Sequence, residues 1–213
     1  MKIKKVGVVG CGQMGSGIAE VCARSGYSVV VSEVNREFLD KGMKALRSSL
    51  DTAVKRGKLT EPDREATLGR LQGTIKMEDF KDCDLVVEAV IENLEEKKKV
   101  FATLDKVCPR HAILASNTSC LSILDMAMAT KRPTQVIGIH FFNPVPVMKL
   151  VEIIRTLLSS EEAINTASDF TSSLGKKAVF AKDMPGFTLN RVIFPFFTGA
   201  VRTLEAGVST MED

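Results

Sequence analysis

The chain has 213 residues, 45% of them hydrophobic, and its 29 Lys plus Arg against 26 Asp plus Glu give a formal net charge of +3. These values suit a globular protein of one large domain, or one domain and part of another, and do not single out nucleic acid as a partner. Five cysteines without CxxC spacing predict reduced packing residues, and the lack of a signal-like or membrane-length apolar segment predicts a cytoplasmic protein without membrane contacts.

A glycine-rich turn stands between two apolar strands near the start of the chain. The pattern is a strand, Gly10-x-Gly12-x-x-Gly15, a helix, and a second strand that ends on Glu33. In such a turn the first glycine permits a tight bend, the second lets a pyrophosphate approach the backbone, and the third lets the helix pack on the strand. A carboxylate at Glu33 can accept hydrogen bonds from a ribose diol and would repel a 2′-phosphate. The pattern predicts a dinucleotide site that prefers NAD to NADP.

Helical periodicity follows, and we expect a pair of helices, a helical arm over about residues 36–73, inserted into the fold. Four apolar side chains recur at near-helical spacing: Phe38, Met43, Leu46 and Leu50. Thr60-Glu61-Pro62 is typical of the start of the second helix. The basic turn 55–58 between the helices is either a solvated loop or a contact for an anionic ligand tail.

Strands and helices then alternate. Strand patterns recur at residues 74–76, 85–88, 112–115 and 136–139. Helical segments such as 94–107 lie between them. This alternation predicts an α/β fold with a doubly wound, mostly parallel sheet. A strand at 148–154, a helix at 161–174 and a strand at 178–181 are expected to complete the sheet near residue 182.

The last predicted element is a helix over residues 185–207. It begins with Pro185, a residue suited to a first helical turn, and is apolar on almost every side. Such a helix is expected to be buried. Because the chain ends a few residues later, we expect either that another subunit covers this helix or that a following helical domain is missing.

His140 is the first candidate for chemistry. It terminates the predicted strand 136–139 at the carboxyl edge, where open parallel sheets bind ligands. Histidine transfers protons near neutral pH, so His140 is either a general base or a hydrogen-bonded structural residue. The other histidine, His111, is interpreted as a surface loop residue.

Glu152, within the strand 148–154, either lies in water on an edge strand or is held against His140 and orients its ring.

Two further polar segments lie near predicted element ends. Residues 116–119 follow the strand 113–115 and either contribute to a ligand site or cap the next helix. Asn190 is expected about one turn into the final helix, where its amide can donate and accept hydrogen bonds, or it is a plain surface residue.

Five blocks of this sequence together resemble the NAD-dependent L-3-hydroxyacyl-CoA dehydrogenases, including 3-hydroxybutyryl-CoA dehydrogenases, in order and spacing. They are GCGQMGSGIA, VVEAVIENLEEKK, SNTSCLSI, GIHFFNPVPVMKLVEII and DMPGFTLNR. The resemblance spans essentially the whole chain. It implies a Rossmann-type NAD-binding domain at residues 1–183 and a truncated start of a C-terminal helical dimerisation domain at residues 184–213. The chain departs from the family at Glu33, where aspartate is usual, and in lacking the rest of the helical domain.

The resemblance implies reversible oxidation of a 3-hydroxyacyl-CoA with NAD as cofactor, no metal, and a homodimer formed through the C-terminal helices. By this resemblance His140 is the catalytic base, Glu152 is its partner, and Ser119 and Asn190 orient the substrate. The implied cofactor contacts are Gly10, Gly12, Gln13, Met14, Gly15, Glu33, Glu92, Lys97, Asn117, Ser119 and Asn143. The implied acyl-CoA contacts are Ser49, Arg56, Ser119, Asn143 and Asn190.

Two other functions stay open at this point. A noncatalytic NAD-binding fragment or interaction subunit fits a chain that lacks most of a C-terminal domain. A different dehydrogenase on a related scaffold, such as a sugar acid or phosphogluconate oxidiser, is expected to lack the blocks around His140 and Asn190 together.

Overall fold

The computed structural model describes residues 3–212, whose strands form one eight-stranded sheet. The strands are β1 Lys5–Val9, β2 Ser28–Ser32, β3 Leu71–Thr74, β4 Leu85–Glu88, β5 Ile113–Ser116, β6 Val136–Phe141, β7 Leu150–Arg155 and β8 Lys177–Lys182. The α-helices are α1 Gln13–Arg24, α2 Arg36–Lys55, α3 Glu61–Leu68, α4 Leu94–Val107, α5 Ile123–Met128, α6 Glu161–Ser173 and α7 Leu189–Glu205.

The strand order across the sheet is β3-β2-β1-β4-β5-β6-β7-β8. Neighbouring strands from β3 to β6 run parallel, β7 is antiparallel to β6, and β8 is parallel to β7. The order of the first six strands is that of doubly wound dinucleotide-binding folds, in which β2 and β3 lie on one side of β1 and β4, β5 and β6 lie on the other. The predicted Rossmann-type, mostly parallel α/β fold is confirmed.

Successive side chains of the central strands belong to two hydrophobic cores, one on each face of the sheet. Val6 and Val8 of β1 lie in the core with the helices α1, α2 and α6, whereas Val9 lies in the core with α4 and α5. Because both faces are covered, these strands are apolar on both sides, which is why they could be found as continuous apolar runs.

Helices α2 and α3 form the predicted helical pair, and each has a side-chain cap at its start. Asn35 Oδ1 accepts the N–H of Phe38 at 2.9 Å, and Thr60 Oγ1 accepts the N–H of Asp63 at 3.2 Å. The buried stripe of α2 consists of Leu39, Gly42, Leu46 and Leu50. Of the apolar residues at near-helical spacing, Leu46 and Leu50 belong to this stripe, whereas Phe38 is 49% exposed.

Two predicted boundaries are wrong. The third strand begins at Leu71, paired with Val29 of β2, so the helical arm does not extend to residue 73. Its sequence, LQGT, carries almost no strand signal, and pairing with β2 makes it a strand. The last helix begins at Leu189 instead of Pro185, because Gly186 and Phe187 have left-handed φ values of 78° and 45°, which a right-handed helix does not allow.

Within residues 3–212 α7 has no buried residue, so the described part of the chain leaves its apolar side chains uncovered. Whether another subunit or a following helical domain covers them stays a prediction. Val192, Phe196 and Val201 of this helix are 67%, 71% and 55% exposed within the described part of the chain. Burial depends on what packs against a helix, and residues 3–212 supply nothing to cover this one. None of the helices described is long and apolar enough to cross a membrane.

The cysteines follow the prediction with one exception. Cys11, Cys22, Cys83 and Cys108 are free and buried, whereas Cys120 is free and exposed. Burial raises the pKa of the Cys108 thiol to about 11. The buried thiols are therefore protonated packing residues at neutral pH.

Candidate active site

The glycine turn lies between β1 and α1 at the carboxyl edge of the sheet. Gly10 has a φ of 96°, in the left-handed region that favours glycine. A Cβ on Gly15 would lie 1.9 Å from the carbonyl oxygen of Gly10, so only glycine lets the helix start this close to the turn. A Cβ on Gly12 would meet no atom within 4 Å. Gly10 and Gly15 thus shape the turn, whereas Gly12 leaves open space for a ligand.

The first turn of α1 borders that space. Gly12 precedes the helix without a side-chain cap, and within residues 3–212 the N–H groups of Gln13, Met14 and Gly15 have no hydrogen-bond acceptor. Unpaired N–H groups at a helix start bind anionic groups, because the helix dipole adds partial positive charge there. The turn therefore fits a pyrophosphate.

Glu33 lies beside the turn, immediately after β2. Its Oε1 accepts the N–H of Cys11 at 2.7 Å and its Oε2 accepts the N–H of Val34 at 3.1 Å. A cavity of about 250 Å³ adjoins Glu33, and its apolar lining consists of Val9, Val34, Ile75, Met77, Val90 and Val100. An apolar slot next to a carboxylate fits an adenine ring and its ribose. The residues present therefore fit NAD at this end of the sheet.

A second cavity, of about 310 Å³, lies over the ends of β4, β5 and β6. Phe141 and Phe142 form part of its wall. The structure brings these sequence-predicted site residues together in its lining: Met14, Glu92, Lys97, Asn117, Ser119, His140 and Asn143. A dinucleotide that starts at Glu33 and crosses the glycine turn reaches this cavity with its other half.

His140 lies within β6, so the prediction that it terminates the strand is wrong. The strand extends to Phe141 because its antiparallel neighbour β7 pairs with it as far as that residue. This pairing places Glu152 directly opposite His140, with Oε2 2.9 Å from Nδ1. Glu152 is 1% exposed and His140 is 7% exposed. The alternative of Glu152 in water on an edge strand is excluded, because β7 lies between β6 and β8.

The other oxygen of Glu152 holds the start of α7. Oε1 accepts the N–H groups of Thr188 and Leu189 at 3.0 and 2.9 Å. Burial alone would raise the pKa of Glu152, but the hydrogen bonds from His140, Leu189 and Thr188 lower it below its ordinary 4.5. The carboxylate is ionised at neutral pH and can only accept, so Nδ1 of His140 carries a proton. In the neutral ring, Nε2 is then the nitrogen that can take up a proton.

Two aromatic rings pack against His140. The ring centroids of Phe142 and Phe187 lie 4.5 and 5.9 Å from that of His140. Phe187 is 3% exposed and has the left-handed φ noted above, which is uncommon for a bulky residue. The rings and the Glu152 hydrogen bond together restrict the orientation of the imidazole.

The segment after β5 contacts both β6 and α7. Asn117 Oδ1 accepts the N–H of Phe141 at 2.9 Å. Asn190, at the start of α7 and not one turn into it, donates from Nδ2 to the carbonyl oxygen of Ser119 at 3.3 Å. Residues 116–119 are not the cap of the next helix, because Ser122 caps α5 by accepting the N–H of Asp125 at 3.1 Å.

Sequence reasoning missed Glu88, a buried acid that contacts Val90 and Lys97, two residues in the lining of the 310 Å³ cavity. Glu88 is the last residue of β4 and is 0% exposed. Its Oε1 accepts from Lys97 Nζ at 2.6 Å and from the N–H of Val90 at 2.7 Å, and its Oε2 accepts from Ser116 Oγ at 2.6 Å. An acid that ends an otherwise apolar buried strand was the signal that could have found it.

Glu92 joins the same network from the cavity wall. Its Oε2 lies 3.3 Å from Lys97 Nζ, and its Oε1 accepts the N–H of Ser119 at 3.1 Å and the hydroxyl of Thr118. Burial alone would raise the pKa of Glu92, but the Thr118 hydrogen bond, the Lys97 charge and the Ser119 N–H lower it overall. Glu92 is therefore an anion that holds the segment with Ser119 in place.

A groove of about 650 Å³ between α1, α2 and residues 143–146 adjoins the glycine turn. Of the sequence-predicted residues, Gly12, Gln13, Glu33, Ser49 and Asn143 line it. Asn143 also lines the cavity with His140, so the groove and the cavity are neighbours. Arg56 is exposed on the turn after α2 and lies outside the groove and both cavities.

The fold and the site together define a dinucleotide-dependent dehydrogenase, with a glycine turn that fits the pyrophosphate and, in the lining of the cavity beyond it, a histidine that is paired with a buried glutamate. Residues 5–184 match the model of the 3-hydroxyacyl-CoA dehydrogenase NAD-binding domain. The chain belongs to the 3-hydroxyacyl-CoA dehydrogenase family, its cofactor is NAD, and the predicted family resemblance is confirmed.

Relatives in this family align over nearly the whole chain. It is 47% identical over 213 residues to a 3-hydroxybutyryl-CoA dehydrogenase of Mycobacterium tuberculosis, covering 99% of the chain and 74% of that protein. It is 44% identical over 212 residues to a probable 3-hydroxybutyryl-CoA dehydrogenase of Bacillus subtilis, covering 100% of the chain and 74% of that protein. The crystal structure of (S)-3-hydroxybutyryl-CoA dehydrogenase from Ralstonia eutropha matches with a TM-score of 0.96 and 40% identity, covering 99% of this chain and 75% of that one.

Proposed function

We propose that this chain catalyses the reversible oxidation of a 3-hydroxyacyl-CoA to a 3-oxoacyl-CoA, with a short acyl chain such as that of 3-hydroxybutyryl-CoA. The observation that carries the proposal is that His140, which lines the 310 Å³ cavity, is paired through Nδ1 with Glu152 Oε2 at 2.9 Å. The names of the relatives from Mycobacterium tuberculosis and Bacillus subtilis support the substrate class.

In the proposed reaction His140 is the general base. Because Nδ1 donates to Glu152, Nε2 takes the proton from the C3 hydroxyl group of the substrate. The bound NAD supplies the hydride acceptor for the hydrogen on the same carbon. Glu152 stabilises the imidazolium that forms and keeps the ring in one tautomer. In the reverse direction the imidazolium returns its proton to the oxygen atom at C3.

We assign the remaining predicted substrate residues to different parts of the acyl-CoA. We place the reacting end of the acyl chain beside Ser119 and Asn190, which are hydrogen-bonded to each other, and the coenzyme A arm in the 650 Å³ groove that Ser49 lines. Asn143, which lines groove and cavity, would contact both NAD and the acyl group. Arg56 is assigned to an anionic group of coenzyme A that extends beyond the groove. Binding energy from the remote coenzyme A arm can position the reacting carbon.

We further propose a domain boundary at residues 183–184 and self-association into a homodimer through residues 184–213. The support is the uncovered apolar surface of α7, whose residues include Phe194, Phe196 and Phe197 at 61%, 71% and 51% exposure. Apolar side chains clustered on one exposed helix favour a protein interface.

The test is NADH oxidation by the 213-residue chain with acetoacetyl-CoA, with NADPH and with a longer 3-oxoacyl-CoA in parallel assays. We expect turnover with NADH and about tenfold or greater preference for NADH over NADPH, since a like charge near Glu33 is costly. NADH binding without turnover of any 3-oxoacyl-CoA would contradict the proposal and favour a noncatalytic NAD-binding module.

A further inference from the structure

We propose that Glu88 is a positioning residue for the nicotinamide half of NAD, acting through Lys97 and the backbone of residues 89–93 and 116–119. Glu88 does not itself line the 310 Å³ cavity. The inference rests on the proposed placement of NAD across the carboxyl edge of the sheet, and it does not depend on which acyl-CoA is the substrate.

Glu88 uses its side chain and its backbone to hold both walls of the cavity. On one wall, its carboxylate accepts from Lys97 Nζ and from the N–H of Val90. On the other wall, its carboxylate accepts from Ser116 Oγ, and its carbonyl oxygen accepts the N–H of Asn117 at 2.8 Å. Ser116 Oγ in turn accepts the N–H of Thr118 at 3.2 Å. Residues on both sides of the cavity therefore share one buried anchor.

The charge arrangement gives Glu88 a role that a neutral side chain cannot fill. Lys97 is 1% exposed and has two acidic partners, Glu88 at 2.6 Å and Glu92 at 3.3 Å. The side chain of Glu92 is 41% exposed, whereas that of Glu88 is 0% exposed. Without the Glu88 charge, the ammonium group keeps one acidic partner, Glu92 on the cavity wall, and a long hydrogen bond of 3.4 Å to the carbonyl oxygen of Val90. We expect Lys97 to move towards Glu92, and the wall that includes Ser119 to move with it.

A binding experiment separates positioning from simple stabilisation. The variant Glu88→Gln keeps the size of the side chain and removes its charge. NADH and ADP-ribose are titrated in parallel, because ADP-ribose retains the adenine, both riboses and the pyrophosphate but lacks nicotinamide. We expect the Kd of NADH to rise about tenfold, the size expected for loss of a charge-assisted hydrogen-bond network. The Kd of ADP-ribose should change by less than about twofold.

The matched control is Asp105→Asn. Asp105 forms a buried ion pair with Arg132 at 2.7 Å, with side chains 9% and 4% exposed, and neither residue lines the cavity. This variant should lower the Tm without changing either Kd. If Glu88→Gln does not yield folded protein, Ser116→Ala removes one hydrogen bond to Glu88 and should raise the Kd of NADH in the same selective way, by a smaller factor.

Equal weakening of NADH and ADP-ribose, or no weakening of either, would overturn the proposal and leave Glu88 as a structural ion pair. A failure of the proposed function would be seen in the turnover assay and not in the NADH titration. Selective loss of NADH affinity in Glu88→Gln, together with no turnover of 3-oxoacyl-CoA by the parent chain, would support the role of Glu88 and reject the substrate.

Discussion

His140 and Glu152 are direct cross-strand partners of β6 and β7, with Nδ1 and Oε2 2.9 Å apart. Residues opposite each other in an antiparallel pair point to the same face of the sheet. A register shift of one residue would put Glu152 on the other face. The antiparallel pairing of β7 is therefore what brings the acid to the imidazole.

The proposed base can be tested with His140→Ala. We expect kcat to fall roughly 100-fold to 10,000-fold, the usual contribution of a positioned general base. The Kd of NADH should stay within about twofold, because the glycine turn and Glu33 are untouched. Steady-state kinetics and a fluorescence titration of NADH measure the two quantities. Loss of NADH affinity in proportion to kcat would show that His140 has a structural role instead.

Glu152 should make the stability of the protein depend on acidic pH. Its pKa is lower in the folded protein than its ordinary 4.5, so its contribution is fully present above about pH 4.5. The contribution is lost as the pH falls through the folded-state pKa. In Glu152→Gln we therefore expect a lower Tm at pH 7 and a smaller further decrease of Tm between pH 5 and about pH 3. Thermal unfolding of both proteins across this range gives the comparison.

The control for this experiment is Asp169→Asn, which neutralises an exposed acid in the interior of α6, away from the helix start where a carboxylate would be stabilising. Its Tm should follow the parent at every pH. Parallel Tm profiles for the parent and Glu152→Gln would mean that the hydrogen bonds to Glu152 do not stabilise its ionised form.

The glycine turn and the alternating elements could be predicted because their signals are local. The glycine spacing, the apolar run of β1 and the position of Glu33 are all contained in one short segment. The pairing of His140 with Glu152 could only be suggested, since it depends on the strand order and on the antiparallel direction of β7. The role of each of these residues in catalysis and binding stays a prediction.

The start of α7 could not be predicted for a different reason. A non-glycine residue, Phe187, adopts a left-handed φ just before the helix, and the acid that caps the helix, Glu152, is far away in sequence. Neither feature leaves a local signal. Similarly, Glu88 is visible in the sequence as an acid after apolar residues, but its network needs Ser116 and Lys97 from other elements.

Two glycines of the turn should respond differently to the same added methyl group. In Gly12→Ala the Cβ meets no protein atom within 4 Å and the φ of −71° suits alanine, so the Tm should fall only by the modest cost of alanine at a helix N-cap. The methyl group occupies the space that the pyrophosphate needs, so the Kd of NADH should rise about tenfold or more. In Gly15→Ala the Cβ would lie 1.9 Å from the Gly10 oxygen, which should destabilise the fold by about 1–3 kcal/mol or more.

Thermal unfolding and NADH titration of the two glycine variants make the comparison. An unchanged Kd of NADH in Gly12→Ala would place the pyrophosphate elsewhere. An unchanged Tm in Gly15→Ala would contradict the close contact between the helix start and the turn.

Glu33 should determine the preference between NADH and NADPH. Its carboxylate lies at the end of the apolar slot, where the 2′-phosphate of NADPH would meet a like charge. In Glu33→Ser we expect the ratio of kcat/KM for NADH to that for NADPH to fall about tenfold or more. Glu37→Ser, a nearby change outside the slot, should leave the ratio as it is. An unchanged ratio in Glu33→Ser would mean that another group excludes the phosphate.

The apolar surface of α7 should control the size of the protein in solution. If two chains associate through this helix, Phe196→Glu puts a charge into the contact and should raise the dissociation constant of the dimer roughly 100-fold. Burying an aromatic side chain contributes about 1.5–3 kcal/mol, and burying an unpaired charge has a further cost. Light scattering after size-exclusion chromatography should show a parent dimer and a Phe196→Glu monomer. Leu157→Glu is the control, because Leu157 is 93% exposed and lies outside α7, so this variant should remain dimeric. A monomeric parent, or a Phe196→Glu variant that stays dimeric, would remove α7 as the dimer interface.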